Sequence, residues 1–272
     1  MRVDRLRVAD NGQVPDMDVE LYLDAVVAAA RQALGADFVG VYAAGSLALD
    51  AYQRGRSDID IAVVSSQPLT MFAKHDLVAR LRHSALPCPA RGVELVVYTL
   101  AAVQSGTADP GFELELNDGA AMAFRQTFHP ADRPAADGAF WYGIDRSILH
   151  RSGRALAGPP ASDVFAELPP DALRELLIES LRWWMALPGQ DDDKPTVGAD
   201  DAVLGACRAL VRHRYGTWLS KVAAGRRLLA VGDQWSDIIE RSIAARAGGP
   251  PPTGRRAREF QQAVLQEILS AK

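Results

Sequence analysis

Two carboxylates one residue apart, Asp58 and Asp60, follow a Gly45-Ser46 pair in this 272-residue chain. On extended backbone alternate side chains share a face, so Asp58 and Asp60 point one way while Ile59, Ile61 and Val63 point the other, into a core. Carboxylates that close repel one another and are costly together unless a cation sits between them. Mg²⁺ prefers oxygen ligands and is commonly held by one or two carboxylates, with phosphate oxygens completing its shell. Gly45 permits a tight turn after a strand and leaves backbone N–H groups free to approach phosphate. Ser46 can donate its hydroxyl to a phosphate oxygen at the start of a short helix. A lone Asp-x-Asp at a strand end, or a lone Gly-Ser turn, is common without such a role. The information lies in the order: strand, Gly-Ser, short helix, then Ser-Asp-Ile-Asp leading a second strand.

A third carboxylate, Glu94, stands near the head of the apolar run Val93–Thr99 (VELVVYT). Glutamate is disfavoured there by both strand propensity and burial. It shares a face with Val96 and Tyr98, so it can point from a sheet into a cleft. An edge-strand charge that blocks aggregation is the bland alternative. Beside the aspartate pair, a chemical role is the better reading.

The elements that must position these groups follow from the hydrophobic pattern. Helices are expected over 19–34 (closed by Gly35), 69–84 and 140–152. Strands are expected over 38–43, 59–64, 93–99 and 112–116, with a helical turn over 47–52. After Gly158-Pro159-Pro160 only helices are read, over about 170–186, 200–214, 217–224, 235–247 and 255–269, punctuated by Gly and Pro. The polar stretch 189–198 (GQDDDKPTVG) is expected to be a loop. The chain is therefore divided into a sheet domain, 1–158, and an all-helical bundle domain, 159–272, an α+β protein.

Bulk properties narrow the function classes. Hydrophobic residues make up 48% and charged residues 24%, with a formal net charge of −4. That is an ordinary globular composition, and the acidic balance argues against a general nucleic-acid binder. It suits a small cationic ligand, although plain solubility explains it as well. Cys88 and Cys207, the only two cysteines, form no metal-ligand spacing. The opening MRVDRLRVADNG lacks the apolar core of a signal peptide, and no run is long enough to span a bilayer. A cytoplasmic protein without membrane or nucleic-acid partners is expected. His75, His83, His129, His150 and His213 are scattered and receive no role.

The segment YAAGSLALDAYQRGRSDIDIAVV resembles the DNA polymerase β-like nucleotidyltransferases, and within them the aminoglycoside adenylyltransferases that modify streptomycin and spectinomycin. GVELVVYT resembles the strand that carries that family's catalytic glutamate. SGRALAGPPASDVF resembles its connection between domains. DAVLGACRALVRHRYGTWLSKVAAG resembles its helical segment in which an arginine and a lysine contact the nucleotide, which places those roles on Arg208 and Lys221. The residues alone do not single these two out from nearby Arg212, Arg214, Arg226 and Arg227.

The resemblance implies transfer of AMP from ATP to a hydroxyl of an aminoglycoside-type antibiotic; a monomer is expected. Asp58 and Asp60 would hold Mg²⁺, Gly45 and Ser46 the triphosphate, and Glu94 would act as general base. Glu94, Trp184 and Asp200 (or Asp201) would meet the acceptor. Helix packing is the ordinary reading of Trp183 and Trp184. Two departures from the family pattern are an insertion around 191–197 and Leu116-Asn117-Asp118-Gly119, where an acceptor-facing tryptophan is expected. A nucleotidyltransferase with another small-molecule or protein acceptor, or a non-catalytic nucleotide-binding module, are the rival readings. The intact Asp58, Asp60 and Glu94 set speaks against the last, since a sensor needs no base.

Overall fold

The computed structural model describes residues 17–189, 191–232 and 234–270. The opening segment read for a leader lies outside them. Helix α1 (Met17–Leu34) leads through a 3-10 turn into β1 (Phe38–Ala43); α2 (Gly45–Ala48) and β2 (Ile59–Ser65) follow. Next come α3 (Met71–Leu81), β3 (Val93–Thr99), α4 (Leu100–Gln104), β4 (Phe112–Gly119) and β5 (Met122–Thr127). Helix α5 (Phe140–Ser152) and β6 (Arg154–Ala157) close the sheet, and α6 (Ala161–Val164) and α7 (Pro170–Ala186) leave it. The chain ends in α8 (Ala199–Tyr215), α9 (Lys221–Ala230), α10 (Ser236–Arg246) and α11 (Gly254–Ser270).

The six strands lie in the order β5-β4-β3-β2-β1-β6, with β2 and β3 parallel and every other pair antiparallel. The two-residue period divides the sheet into unlike faces. Ile59, Ile61, Val63, Val93, Leu95, Val97, Leu114 and Leu116 pack with Val19, Leu23, Val26, Leu77 and Leu81 from α1 and α3. The opposite face begins as Tyr42, Ala62, Val64, Tyr98 and Phe112, packed against Tyr142 and Leu149 of α5. Toward the strand ends that carry Asp60 and Glu94 this second face turns polar.

Helix α5 belongs to two cores. Its Tyr142 and Leu149 meet the sheet, while Phe140, Ile144 and Ile148 join the helical core built around α8. Buried Trp218 ties the halves again, because its Nε1–H donates to Ser147 Oγ on α5 at 3.0 Å. This tie also corrects the helix expected over 217–224. Residues 217–220 form no helix, and α9 starts only at Lys221, where Ser220 Oγ caps it by accepting from Ala223 N at 3.2 Å. Two strands have no counterpart in the sequence reading. Strand β5 shows mostly polar or exposed side chains, and β6 is four residues long and half-exposed, so neither has an apolar signature.

Candidate active site

Gly45 has φ +51°, a left-handed conformation that glycine adopts without strain. A Cβ at this position would lie 1.7 Å from Asp60 Oδ2, so the turn and the carboxylate are in direct apposition. Ala44 N donates to Asp60 O at 2.9 Å and fixes the turn against β2. The Ser46 hydroxyl, in the first turn of α2, is buried with no hydrogen-bond partner among the described residues.

The parallel register places Glu94 directly beside Asp60, and the antiparallel register on the other side places Asn117 beside Glu94. Neighbouring strands run about 4.8 Å apart. One row of the polar face therefore reads Asp60, Glu94, Asn117, Arg125, and the next reads Ala62, Val96, Glu115, Thr127. Asp145 enters from α5 and Arg208 from α8, above the same row. All of these except Thr127 line one cleft of about 890 Å³, together with Asp58, Gly45, Ser46, Trp184 and Lys221. The cleft lies between the sheet face and the helical half, the size and placement usual for a small-molecule site.

Its electrostatics are those of crowded anions. Burial, then the Asp58, Glu94 and Asp145 carboxylates, push Asp60 well above the usual carboxylate range, and Arg208 opposes them. Glu94 rises to about 7 through burial and the Asp58, Asp145 and Glu115 charges, with Arg133 opposing. Its side chain opens to solvent through the cleft mouth, but the walls displace most of its bulk water. Burial also lifts Asp145 to about 6, against the pull of Arg208. Repulsion of this kind is relieved by a cation. Among the described residues no group of three or more His, Cys, Asp or Glu side chains is arranged to hold a metal. Asp58 and Asp60 supply two carboxylates, which is what Mg²⁺ commonly takes from a protein when phosphates and water fill its other positions. With the unpartnered Ser46 hydroxyl and the Gly45 turn alongside, the donor set fits a divalent cation carrying a polyphosphate.

Cations gather at the helical end. Lys221 Nζ donates to Asp201 Oδ1 at 2.9 Å, and Arg246 bonds the same oxygen. Together with Arg56 they hold Asp201 at about 2 despite its burial. Asp200 is placed differently from its expected contact with the acceptor. It is only 4% exposed, bonds Arg56 and lies off the cleft wall. Consecutive helical residues point about 100° apart, so α8 can present only one of the two aspartates, and it presents Asp201.

At the other end Trp141, Trp183 and Trp184 stand edge-to-face, with centroids 5.3 to 6.3 Å apart. Trp183 Nε1–H donates to Ala136 O at 2.7 Å and Trp141 Nε1–H to Asp137 O at 3.2 Å, which fixes their rings. Trp183 and Trp184 thus both pack and line the cleft. Arg133 bonds Glu115 and the Tyr142 hydroxyl, and Arg125 bonds Asp137 at 2.5 Å. Asp145, Trp141, Arg133 and Arg246 had no sequence signal: each sits in an ordinary helix or loop, and only the fold brings it to the cleft.

No family model and no curated protein sequence matches the chain. Its fold is that of a solved structure, spectinomycin adenyltransferase AAD(9) from Enterococcus faecialis with ATP and spectinomycin. The TM-score is 0.64 at 15% identity, covering 92% of this chain and 99% of that one.

Proposed function

We propose that this protein is a Mg²⁺-dependent nucleotidyltransferase that moves AMP from ATP to a hydroxyl of an aminoglycoside-type antibiotic of the streptomycin or spectinomycin class. The observation that carries the reading is the apposition of the Gly45-Ser46 turn, Asp60 and Glu94 in register at the base of one cleft. The solved structure of like fold, a spectinomycin adenyltransferase with ATP and spectinomycin, supports the choice of reaction and acceptor.

Backbone N–H groups at the Gly45 turn and the free Ser46 hydroxyl receive phosphate oxygens. Arg208 and Lys221 reach the phosphates from the helical half, Arg as a fork and Lys as a point charge. Asp58 and Asp60 would hold Mg²⁺, which when bound would supply charge neutralisation on the phosphates. Glu94, one strand away, accepts the proton of the attacking acceptor hydroxyl as that oxygen bonds to the α-phosphorus and pyrophosphate leaves. A carboxylate lifted to about 7 is a stronger base than an ordinary one once ionised. The tryptophan wall offers ring faces to a cationic acceptor, with Trp184 among them. Asp200 is too deep to serve the acceptor; Glu94, Glu115 and Asp137 are carboxylates of the cleft at that end, the last two paired with arginines.

The acceptor wall departs from the family pattern at one place. Arg125 and Arg133 stand on the acceptor side, where the family pattern has a tryptophan near Leu116-Asn117-Asp118-Gly119. Each is paired with a carboxylate of the same wall, Arg125 with Asp137 and Arg133 with Glu115, so the four charges cancel and the wall offers an acceptor hydrogen-bonding groups in place of an indole ring. Mass analysis of a panel of aminoglycoside-type antibiotics after incubation with protein, ATP and Mg²⁺ tests the proposal. One or more should gain the mass of a single AMP with release of pyrophosphate. Absence of any adduct across the panel, with ATP still bound, would leave the transferase reading needing another acceptor class.

A further inference from the structure

Three cations and two carboxylates form a knot where the two halves of the cleft meet. Arg56, in the loop that leads to Asp58, bonds Asp200 and lies 3.8 Å from Asp201 Oδ2. Lys221 and Arg246 both bond Asp201 Oδ1, Lys221 at 2.9 Å. Backbone contacts hold the frame: Arg56 Nη1–H donates to Ala245 O at 3.3 Å, and Gln53 Nε2–H donates to Arg246 O at 3.2 Å. The two aspartates differ in accessibility. Asp200 is buried and keeps Arg56, whereas the Asp201 side chain is 30% exposed on the cleft wall.

We infer that Asp201 is an internal counter-ion that occupies the cationic pole of the cleft between turnovers, and that Lys221 and Arg246 leave it for the phosphates of an incoming nucleotide. The inference rests on the functional reading above and adds Arg246 and Asp201 to it.

Three observations and one general property of the side chains lead there. Arg246, Lys221, Asp201 and the Gly45-Ser46 turn line the same cleft. Lys221 is the first residue of α9, and Ser220, Val222 and Ala223 around it also face the cleft, so that helix terminus adds its partial positive charge to the pole. The knot carries one surplus positive charge, so it attracts anions even with Asp201 bound. Lysine and arginine side chains have rotamers enough to swing from one acceptor to another without backbone movement. A resident carboxylate keeps these cations gathered and stops them from pairing with Asp58 and Asp60. It also competes with product pyrophosphate and so hastens its departure.

The test is titration calorimetry of ATP·Mg²⁺, and separately of Mg²⁺-pyrophosphate, on wild type, Asp201→Asn and Asp201→Glu, with melting curves to establish folding. Removing the internal anion should tighten both ligands by about tenfold, the size expected for one screened unit charge near a protein surface. Asp201→Glu, which keeps the charge, should bind as wild type does. Unchanged or weaker binding by folded Asp201→Asn overturns the inference and makes Asp201 a fixed strut. Should Asp201→Asn not fold, a crystal structure of the wild type with ATP·Mg²⁺ decides. Lys221 and Arg246 on phosphate oxygens support the exchange, and both still on Asp201 refute it. Failure of the wild type to bind ATP·Mg²⁺ would instead contradict the function proposed above, and the counter-ion role with it.

Discussion

At Asp60, burial and three neighbouring carboxylates oppose ionisation, while Arg208 alone among the named neighbours favours it. The arrangement is poor for an empty protein and good for one that carries a cation. Two consequences follow for Asp60→Asn. Turnover should fall by roughly 10²-fold or more, because charge stabilisation at a metal site is worth several kcal/mol. The unliganded variant should also melt above wild type at pH 8, since one of the repelling charges is gone. The pH dependence has a definite sign. Glu94 is raised from 4.5 to about 7, so the folded state holds a proton that the unfolded chain releases in that window. Stability is therefore lost as pH rises from about 4.5 through about 7, and Asp145, raised to about 6, acts in the same direction. Melting temperatures of the unliganded protein across pH 4.5 to 8 check this. A melting temperature that climbs through the window would contradict the crowding of anions described for the cleft.

At the scale of elements, the turn between β1 and α2 is the tightest constraint. Gly45→Ala would have to place a Cβ where Asp60 Oδ2 lies, on backbone already in the left-handed region. That backbone alone costs about 1–2 kcal/mol for a side-chain-bearing residue. The variant should melt a few degrees lower, at ~2–4 °C per kcal/mol for a chain of this order of size. It should also lose turnover about as Asp60→Asn does, because Asp60 must move. Wild-type turnover in Gly45→Ala would show that the turn does not set the position of Asp60. Much of this was legible in the chain itself. The Gly-Ser turn, the Asp-x-Asp strand head and Glu94 in VELVVYT each break an apolar pattern, and four of the six strands have that pattern. Strand β5 did not show because its partner β4, not its own burial, holds it in the sheet. Residues 217–220 look helical by composition, but Trp218 leaves the helical path to reach Ser147. The cleft residues on α5 and α10, Asp145 and Arg246, carry no local signal because their role exists only once the helices pack over the sheet.

Across the whole molecule, the groups proposed to hold the nucleotide come from both halves: Gly45 and Ser46 from the sheet side, Arg208 and Lys221 from the helices. ATP·Mg²⁺ should therefore draw the halves together. Small-angle scattering with and without ATP·Mg²⁺ should show a smaller radius of gyration in its presence, and Lys221→Ala should weaken ATP binding and reduce that compaction. An unchanged profile together with unchanged affinity in the variant would make Lys221 a surface charge paired to Asp201 and no more. Among the described residues no helix is long and apolar enough to cross a membrane.

Glu94 is proposed to take a proton beside a bound nucleotide, and Glu94→Gln isolates that step. The amide keeps the shape but cannot accept the proton. Measured on one preparation, the rate of AMP transfer to an accepted antibiotic should fall by about 10²–10⁴-fold, the worth of a positioned general base, while the affinity for ATP·Mg²⁺ stays near that of the wild type. Transfer at the wild-type rate would make Glu94 a structural charge and place the base elsewhere. Loss of ATP binding would contradict the base role differently, by making Glu94 a third ligand of the metal.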